Sequence, residues 1–140
     1  MADIPTPNLT IEDKYTVLDN TYFQVAKDDP KDRIDVEIGD SKVADDFLPQ
    51  VKIMRWDNVV NASFRLIHNE ANPVVTTLAD KIRFVGDKIE AHFYERNSID
   101  DITFEDGGYE FEVLLKEKPA SNVLEFSMET KGLNFCYQPE

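Results

Sequence analysis

Residues 109–137 constrain the fold most, because large apolar side chains alternate with polar ones through three successive runs. Alternation with a period of two is typical of a strand that buries one face and solvates the other. Residues 117–122 and the Lys131-Gly132 pair separate the runs. The pattern therefore predicts three consecutive antiparallel strands that share one core.

Two hairpin registers follow from this alternation. Pairing Leu115 with Leu124, and Thr130 with Leu133, places every large apolar side chain on the same face. A slip by one residue would move all of them to the opposite face. The predicted core of this region contains Phe111, Val113, Phe126, Met128, Phe135 and Tyr137.

The same registers gather glutamates on the outer face of these strands. Glu110 would lie opposite Glu129, with Glu112 and Glu125 close by. Like charges in directly opposed positions destabilise a sheet. Two interpretations stay open. In the first, the face is solvated and tolerates this cost. In the second, the face meets a basic partner or cations, or it prevents sheets from stacking.

Shorter runs of the same alternation precede this region and predict further strands. They cover residues 34–38, 51–56 and 62–67. Polar loops separate the runs, and no segment shows a convincing long helical period. About eight short strands without a long helix predict an all-β fold, an antiparallel β-sandwich of jelly-roll or immunoglobulin-like type.

The clearest single hairpin is predicted around the Gly-Asp turn at residues 86–87. Two-residue turns of this kind tolerate positive φ and join adjacent antiparallel strands. Centring the hairpin there pairs Phe84 with Ile89. It also sets Arg83 opposite Glu90 on the other face, which is an attractive cross-strand pair.

The first thirty residues differ from the remainder of the chain. Prolines interrupt residues 1–30, and their apolar residues are scattered. We interpret this segment as an extended N-terminal arm, partly ordered by contact with another molecule. Residues 22–25 could equally form a strand. Residues 31–140 are then the β-sandwich domain.

The charge and composition of the chain exclude several classes of function. There are 28 acidic and 15 basic residues, so the net charge is −13. This charge repels nucleic-acid phosphates and anionic membrane surfaces, so neither is an expected partner. No apolar run reaches transmembrane length, and the N-terminus lacks the basic and apolar regions of a signal peptide. The single cysteine, Cys136, excludes an intramolecular disulfide and is expected to be a partly buried filler.

Motifs that carry chemistry are absent from the sequence. No nucleotide-binding or hydrolase motif occurs, and neither histidine lies in a metal-ligand spacing. We therefore predict a protein that is not an enzyme and needs no cofactor. One acidic loop offers weak calcium candidates, although its spacing is not that of an EF-hand and a solvated loop is the favoured interpretation. The candidates are Asp100, Asp101, Glu105 and Asp106.

Four segments resemble a group of uncharacterised proteins from phage and environmental sequence data. The segments are MRWD at 54–57, GDKIEAHFY at 86–94, GYEFEVLLKEKP at 108–119 and TKGLNFCYQP at 130–139. The resemblance covers about residues 51–139, and its last segment is the most specific. It implies chains that continue past the Tyr-Gln-Pro element, so that Glu140 is a domain boundary or a truncation. It implies no catalytic residues.

These observations favour a non-enzymatic structural or assembly module of a phage-type particle. Such a module would sit in a virion or in the host cytoplasm and bind other protein subunits, by self-association or to virion components. The N-terminal arm and the sheet surface would make the contacts. The alternative is a carbohydrate- or cell-surface-binding module that uses Trp56 and Tyr94 as an aromatic platform. An acidic hydrolase is a third, weaker hypothesis.

Overall fold

The computed structural model describes residues 15–19, 22–25, 34–43, 45–78, 81–96, 98–99, 101–103 and 108–139. Within these residues the chain forms twelve strands and no helix. The strands are β1 (Tyr15–Asp19), β2 (Tyr22–Val25), β3 (Asp35–Gly39), β4 (Gln50–Arg55), β5 (Val60–Leu66), β6 (Val74–Thr77), β7 (Lys81–Val85), β8 (Ile89–Glu95), β9 (Ser98–Ile99), β10 (Ile102–Thr103), β11 (Tyr109–Leu115) and β12 (Phe126–Lys131).

Ten of the strands form two antiparallel sheets that pack against each other. The six-stranded sheet has the order β1-β2-β3-β4-β5-β12, and the four-stranded sheet has the order β11-β8-β7-β6. Strands β9 and β10 form a separate short hairpin. The predicted all-β antiparallel sandwich is therefore confirmed, with more strands than the sequence pattern predicts.

The core lies between the inner faces of the two sheets. Ile38 on β3 is fully buried, as are Phe84 on β7 and Phe93 on β8. Phe47, from the loop before β4, inserts between the sheets with its ring centroid 6.3 Å from Phe23, 6.3 Å from Phe84 and 6.1 Å from Phe93. Full burial of one such side chain stabilises the fold by about 1.5–3 kcal/mol. Alternation in each strand therefore supplies the apolar face that the opposite sheet covers.

The β7–β8 hairpin forms, but its register differs from the prediction by two residues. Phe84 lies opposite Ala91 rather than Ile89, and Arg83 lies opposite His92 rather than Glu90. A shift by two residues preserves the face of every side chain, so the buried set is unchanged. The turn is centred one residue later than predicted, because the amide N–H groups after Gly86 bind a carboxylate described below.

The predicted hairpin that pairs Leu115 with Leu124, between the strands that contain Phe111 and Met128, is wrong. Phe111 on β11 lies opposite Phe93 on β8, whereas Met128 on β12 lies opposite Phe64 on β5. Residues 116–125 therefore cross from one sheet to the other instead of turning back. Alternation specifies which side chains face inward, but both sheets accept the same inward face. The pattern alone cannot choose the neighbouring strand.

The predicted third strand of this region does not form. Residues 133–139 have no regular secondary structure, and Phe135 and Tyr137 are 72% and 87% exposed. Phe111 and Val113 do pack against the core. The other four residues of the predicted core, Phe126, Met128, Phe135 and Tyr137, are exposed, so the prediction is wrong for them. Cys136 is also exposed, against the expectation that it is partly buried.

The N-terminal segment contributes two strands to the six-stranded sheet. Strand β2 lies between β1 and β3, and Phe23 is 3% exposed within the core. The alternative interpretation of residues 22–25 as a strand is confirmed. The remaining parts of the predicted arm, 1–14, 20–21 and 26–30, lie outside the described residues. A boundary at residue 30 would separate β2 from the sheet that it joins.

We expect Phe23→Ala to destabilise the protein by about 3–5 kcal/mol, because it leaves a cavity beside Phe47. Gln24→Ala is the matched control, since Gln24 is the neighbouring, partly exposed residue of the same strand. The free energy of unfolding is measured by urea denaturation. Equal stability of the two variants would show that β2 is not part of the core.

Candidate functional site

The outer face of the four-stranded sheet carries a polar cluster around His92 on β8. His92 is only 9% exposed, and neither ring nitrogen has a hydrogen-bond partner among the described residues. Its Nδ1 lies 3.7 Å from Glu112 Oε1, and its Nε2 lies 4.0 Å from Glu90 Oε2. The Tyr94 hydroxyl donates a hydrogen bond to Glu112 Oε2 at 3.1 Å. These four residues form the His92 cluster.

The electrostatics of the His92 cluster oppose protonation of the imidazole. Burial lowers the pKa of His92, and the nearby Lys81 ammonium and Arg83 guanidinium lower it further. The carboxylates of Glu90 and Glu112 act in the opposite direction but do not reverse the shift. His92 is therefore neutral at neutral pH.

The chemistry available to the His92 cluster is limited. Burial raises the pKa of Tyr94, and the hydrogen bond to Glu112 raises it further, so the hydroxyl stays protonated. The cluster holds no serine, cysteine or lysine nucleophile. Across the part of the chain that the structure describes, no three His, Cys, Asp or Glu side chains are placed to hold a metal ion. The arrangement fits a packed sheet surface better than a catalytic centre.

A groove of about 460 Å³ lies under the crossover between β11 and β12. It runs between residues 116–125 of the crossover and residues 67–69, which follow β5. Its lining is mainly apolar, with Ile67, Ile89, Leu115, Val123 and Leu124 contributing. Charged groups are scattered at the surface, where Lys88 and Glu117 form an exposed 3.8 Å ion pair. Among its described lining residues there is no convergent set of polar groups that would orient a ligand.

Glu70 organises the turn beside this groove. Its carboxylate accepts backbone hydrogen bonds from Asp87 at 2.8 Å, Lys88 at 2.9 Å and Ile89 at 3.0 Å. Burial alone would raise the pKa of Glu70, but these three donors outweigh it and the pKa is lowered, with a further contribution from His68. A side chain at Gly86 would collide with the Glu70 carboxyl group and displace this acceptor from its three backbone donors.

The predicted acidic face is divided between the two sheets. Glu110 lies opposite Tyr94 on the four-stranded sheet, with its carboxylate 3.8 Å from Arg96. Glu129 lies opposite Ser63 on the six-stranded sheet. The predicted opposition of Glu110 and Glu129 is therefore wrong. Glu112 belongs to the His92 cluster, and Glu125 lies at the end of the crossover, where it lines the groove.

The two residues of the predicted aromatic platform belong to different sheets. Trp56 follows β4 of the six-stranded sheet, is 60% exposed and has a positive φ of 54°. The Arg55 guanidinium carbon lies 5.3 Å from its ring centroid. Tyr94 is in the four-stranded sheet, with the Lys81 ammonium 4.7 Å from its ring centroid. Each ring already has a cation as its neighbour.

Of the calcium candidates, the structure describes one. Asp101 occupies the turn between β9 and β10, where it is exposed and has a positive φ of 66°. The other three candidates, Asp100, Glu105 and Asp106, lie outside the described residues. The calcium site therefore stays a prediction.

The sequence pattern misses the most unusual surface, which is the open edge of β12. Among the described strands, β12 is the last of the six-stranded sheet and has a neighbour only in β5. Phe126 and Met128 are on its inward face, and the ring centroids of Phe126 and Phe111 are 5.8 Å apart. Phe126 and Met128 are nevertheless 46% and 48% exposed. We call residues 126–131 with these exposed side chains the β12 edge.

Other apolar side chains adjoin the β12 edge at its C-terminal end. Gly132, with a positive φ of 69°, lies against the Val59 carbonyl in the β4–β5 turn, where Val59 is 61% exposed. Leu133 is 45% exposed just beyond this contact, and Phe135 and Tyr137 follow it. Exposed apolar side chains that cluster on a folded protein are typical of an interaction site.

The backbone of the β12 edge has a defined hydrogen-bonding direction. The Ile67 N–H donates to the Glu125 carbonyl at 2.9 Å, so this pair is of the hydrogen-bonded kind. Hydrogen-bonded and non-hydrogen-bonded pairs alternate along antiparallel strands. Residues 127, 129 and 131 therefore bond to β5. The N–H and C=O groups of Phe126, Met128 and Thr130 point toward the open edge.

Comparison of the chain with protein-family models, with curated proteins and with solved structures finds no match. Within the described residues, no helix has the length and hydropathy needed to cross a membrane.

We expect stability to fall as the pH is lowered below about 6.5, because the unfolded state then binds a proton that folded His92 resists. The effect is present at and above the ordinary histidine pKa and is lost as the pH falls toward the lower pKa of the folded state. Melting temperatures between pH 8 and pH 5 should show a smaller pH dependence for His92→Gln than for the parent. Val74→Gln, at an exposed position that does not titrate on β6 of the same sheet, is the control and should retain the parental dependence. Identical curves for His92→Gln and the parent would contradict this account.

We expect Glu70→Gln to destabilise the protein by about 1–3 kcal/mol, because three backbone donors lose a charged acceptor. The contribution of Glu70 is complete above its ordinary pKa and is lost as the pH falls through its lowered folded-state pKa. Asp87→Asn makes the same chemical change on an exposed side chain of the same turn and is the control. Denaturant unfolding at pH 7 would contradict the role of Glu70 if both variants matched the parent.

Proposed function

We propose that this chain is a non-enzymatic module that assembles with other protein subunits through the β12 edge. The observation that carries the proposal is that Phe126 and Met128 face the interior side of a strand, yet remain almost half exposed. In a closed sandwich these positions would be covered by a neighbouring strand. The nature of the partner, another protein, follows from what such an edge can bind.

An open strand edge recognises another strand through its backbone. Unpaired N–H and C=O groups form a template for strand addition, and the side chains beside them provide specificity. Natural proteins usually protect such edges with inward-pointing charges, prolines or bulges. Strand β12 has no proline, and its charged residues, Glu129 and Lys131, alternate with the inward-facing ones. The edge therefore retains the features that strand addition requires.

The net charge of −13 determines how assembly should depend on salt. Two acidic copies repel each other at long range, and salt screens this repulsion over about 8 Å at physiological ionic strength. Apolar contact at the edge is then the main attraction. A structural role in a phage-type particle, located in a virion or in the host cytoplasm, would use such contacts repeatedly. The resemblance of residues 51–139 to uncharacterised proteins from phage and environmental sequence data supports this context.

The carbohydrate-binding alternative has less support. Its aromatic platform would need Trp56 and Tyr94 on a common surface, but they belong to different sheets and each lies beside a cation. Glycan-binding modules place aromatic rings where a sugar face can stack on them. The geometry of the β12 edge favours a protein partner.

Sedimentation velocity over a concentration series tests the proposal. We expect the parent to self-associate at physiological salt, and Met128→Lys to weaken association at least about tenfold by burying a charge at the contact. Val74→Lys is the matched control, because Val74 is a 57% exposed apolar residue on β6, the edge strand of the other sheet. A parent that stays monomeric at millimolar concentration would overturn the proposal. Equal weakening by both variants would place the contact elsewhere.

A further inference from the structure

We infer that two copies of this chain pair β12 with β12 in antiparallel orientation. The two-fold axis passes midway between the two Met128 residues. The two six-stranded sheets then continue into one sheet across the dimer. This inference rests on the proposed function and names the partner as a second copy. A two-fold axis brings the same edge of both copies together and closes the assembly.

Two features of the β12 edge limit the possible registers. Paired residues in an antiparallel sheet point to the same face, so inward-facing residues must pair with inward-facing residues. The backbone groups of Phe126, Met128 and Thr130 point toward the open edge, as the Glu125–Ile67 hydrogen bond requires. The axis must therefore pass midway between the two copies of one residue, so that this residue pairs with itself. We call this an axis through that residue.

Charge then distinguishes the possible axes. An axis through Ser127 sets Glu125 opposite Glu129, and an axis through Glu129 sets that carboxylate opposite its own copy. Like charges in these positions are unfavourable. An axis through Met128 instead sets Glu125 opposite Lys131 at both ends and leaves no like-charged pair. It uses the whole of β12 and the residue before it, whereas an axis through Phe126, which also leaves no like-charged pair, would pair residues 127–131 with residues 121–125 outside the strand.

An axis through Thr130 is the remaining alternative that pairs opposite charges, since it sets Glu129 opposite Lys131. It also places Met128 opposite Gly132, whose positive φ of 69° departs from strand geometry. Strand pairing would then include a residue that is not extended. The axis through Met128 avoids this conflict.

The same register covers the exposed apolar side chains of the β12 edge. Met128 lies opposite Met128 of the second copy, and Phe126 lies opposite Thr130 of the second copy. Both pairs are on the inward face. Each copy thus supplies the neighbouring strand that the exposed Phe126 and Met128 lack among the described residues.

Disulfide cross-linking reads this register directly. In a Cys136→Ser background, which removes the exposed native thiol, Ser127→Cys and Glu129→Cys are made in separate chains. An axis through Met128 makes residue 127 of one copy and residue 129 of the other a non-hydrogen-bonded pair. Their Cα atoms are then about 4.5 Å apart, within the range for a disulfide.

We expect an equimolar mixture of the two variants to form a disulfide-linked dimer under mild oxidation, and each variant alone to form little. Cross-linking of Ser127→Cys alone would place the axis at residue 127, and cross-linking of Glu129→Cys alone would place it at residue 129. Either result would overturn the inferred register. So would a dimer seen by sedimentation that no combination cross-links. In these cases the proposed function stands if Met128→Lys still weakens association. A chain that never dimerises would overturn both.

A charge exchange provides an independent test. Glu125→Lys and Lys131→Glu should each weaken self-association roughly 3- to 10-fold, because each creates two repulsive pairs across the axis. Mixing the two variants should restore association to within about twofold of the parent, since each altered residue then meets an opposite charge. Rescue on mixing also controls for the bond that Lys131 Nζ donates to the Asn58 carbonyl within one copy. Failure of the mixture to recover would contradict the register.

Discussion

Apolar contact between the two sheets, centred on Phe47, is the interaction on which the structure depends. Phe47 comes from the loop before β4 and touches Phe23 in one sheet and Phe84 and Phe93 in the other. A sheet with one apolar face is stable only when another layer covers it. Because the inner faces meet in this way, the outer faces are free to carry the many acidic side chains. The net charge of −13 is therefore compatible with a well-packed core.

The crossover at residues 116–125 is responsible for the open edge. It places β11 at the edge of one sheet and β12 at the edge of the other, and the Phe111–Phe126 contact joins them across the sandwich. A hairpin would instead have paired the two strands with each other. The crossover exposes inward-facing side chains at both edges, where Leu115 on β11 is 47% exposed and Met128 on β12 is 48% exposed. Strand addition is the contact that satisfies both the backbone and the side chains of such an edge.

Two polar side chains, Glu70 in the connection between β5 and β6 and His92 on β8, respond to burial in opposite ways. Glu70 is surrounded by donors, since three backbone amides bind its carboxylate and hold the β7–β8 turn in place. His92 has no hydrogen-bond partner among the described residues and is kept neutral by burial and by the cations of β7. The first arrangement stabilises a turn and shifts the hairpin register. The second makes the stability of the four-stranded sheet sensitive to acid.

The amino-acid sequence by itself determined the fold class and most of the inward-facing positions. Alternation in β3, β7, β8 and β11 is enough to predict a sandwich and the burial of Ile38, Phe84 and Phe93, because a period of two identifies the apolar face of each strand. Alternation does not identify which strand lies beside it in the sheet. The tertiary structure decided that β11 and β12 belong to different sheets, that Glu110 and Glu129 do not meet, and that Phe126 and Met128 lie at an edge. These outcomes depend on contacts between residues distant in sequence, which compete for the same apolar surfaces and are settled only when both sheets pack together.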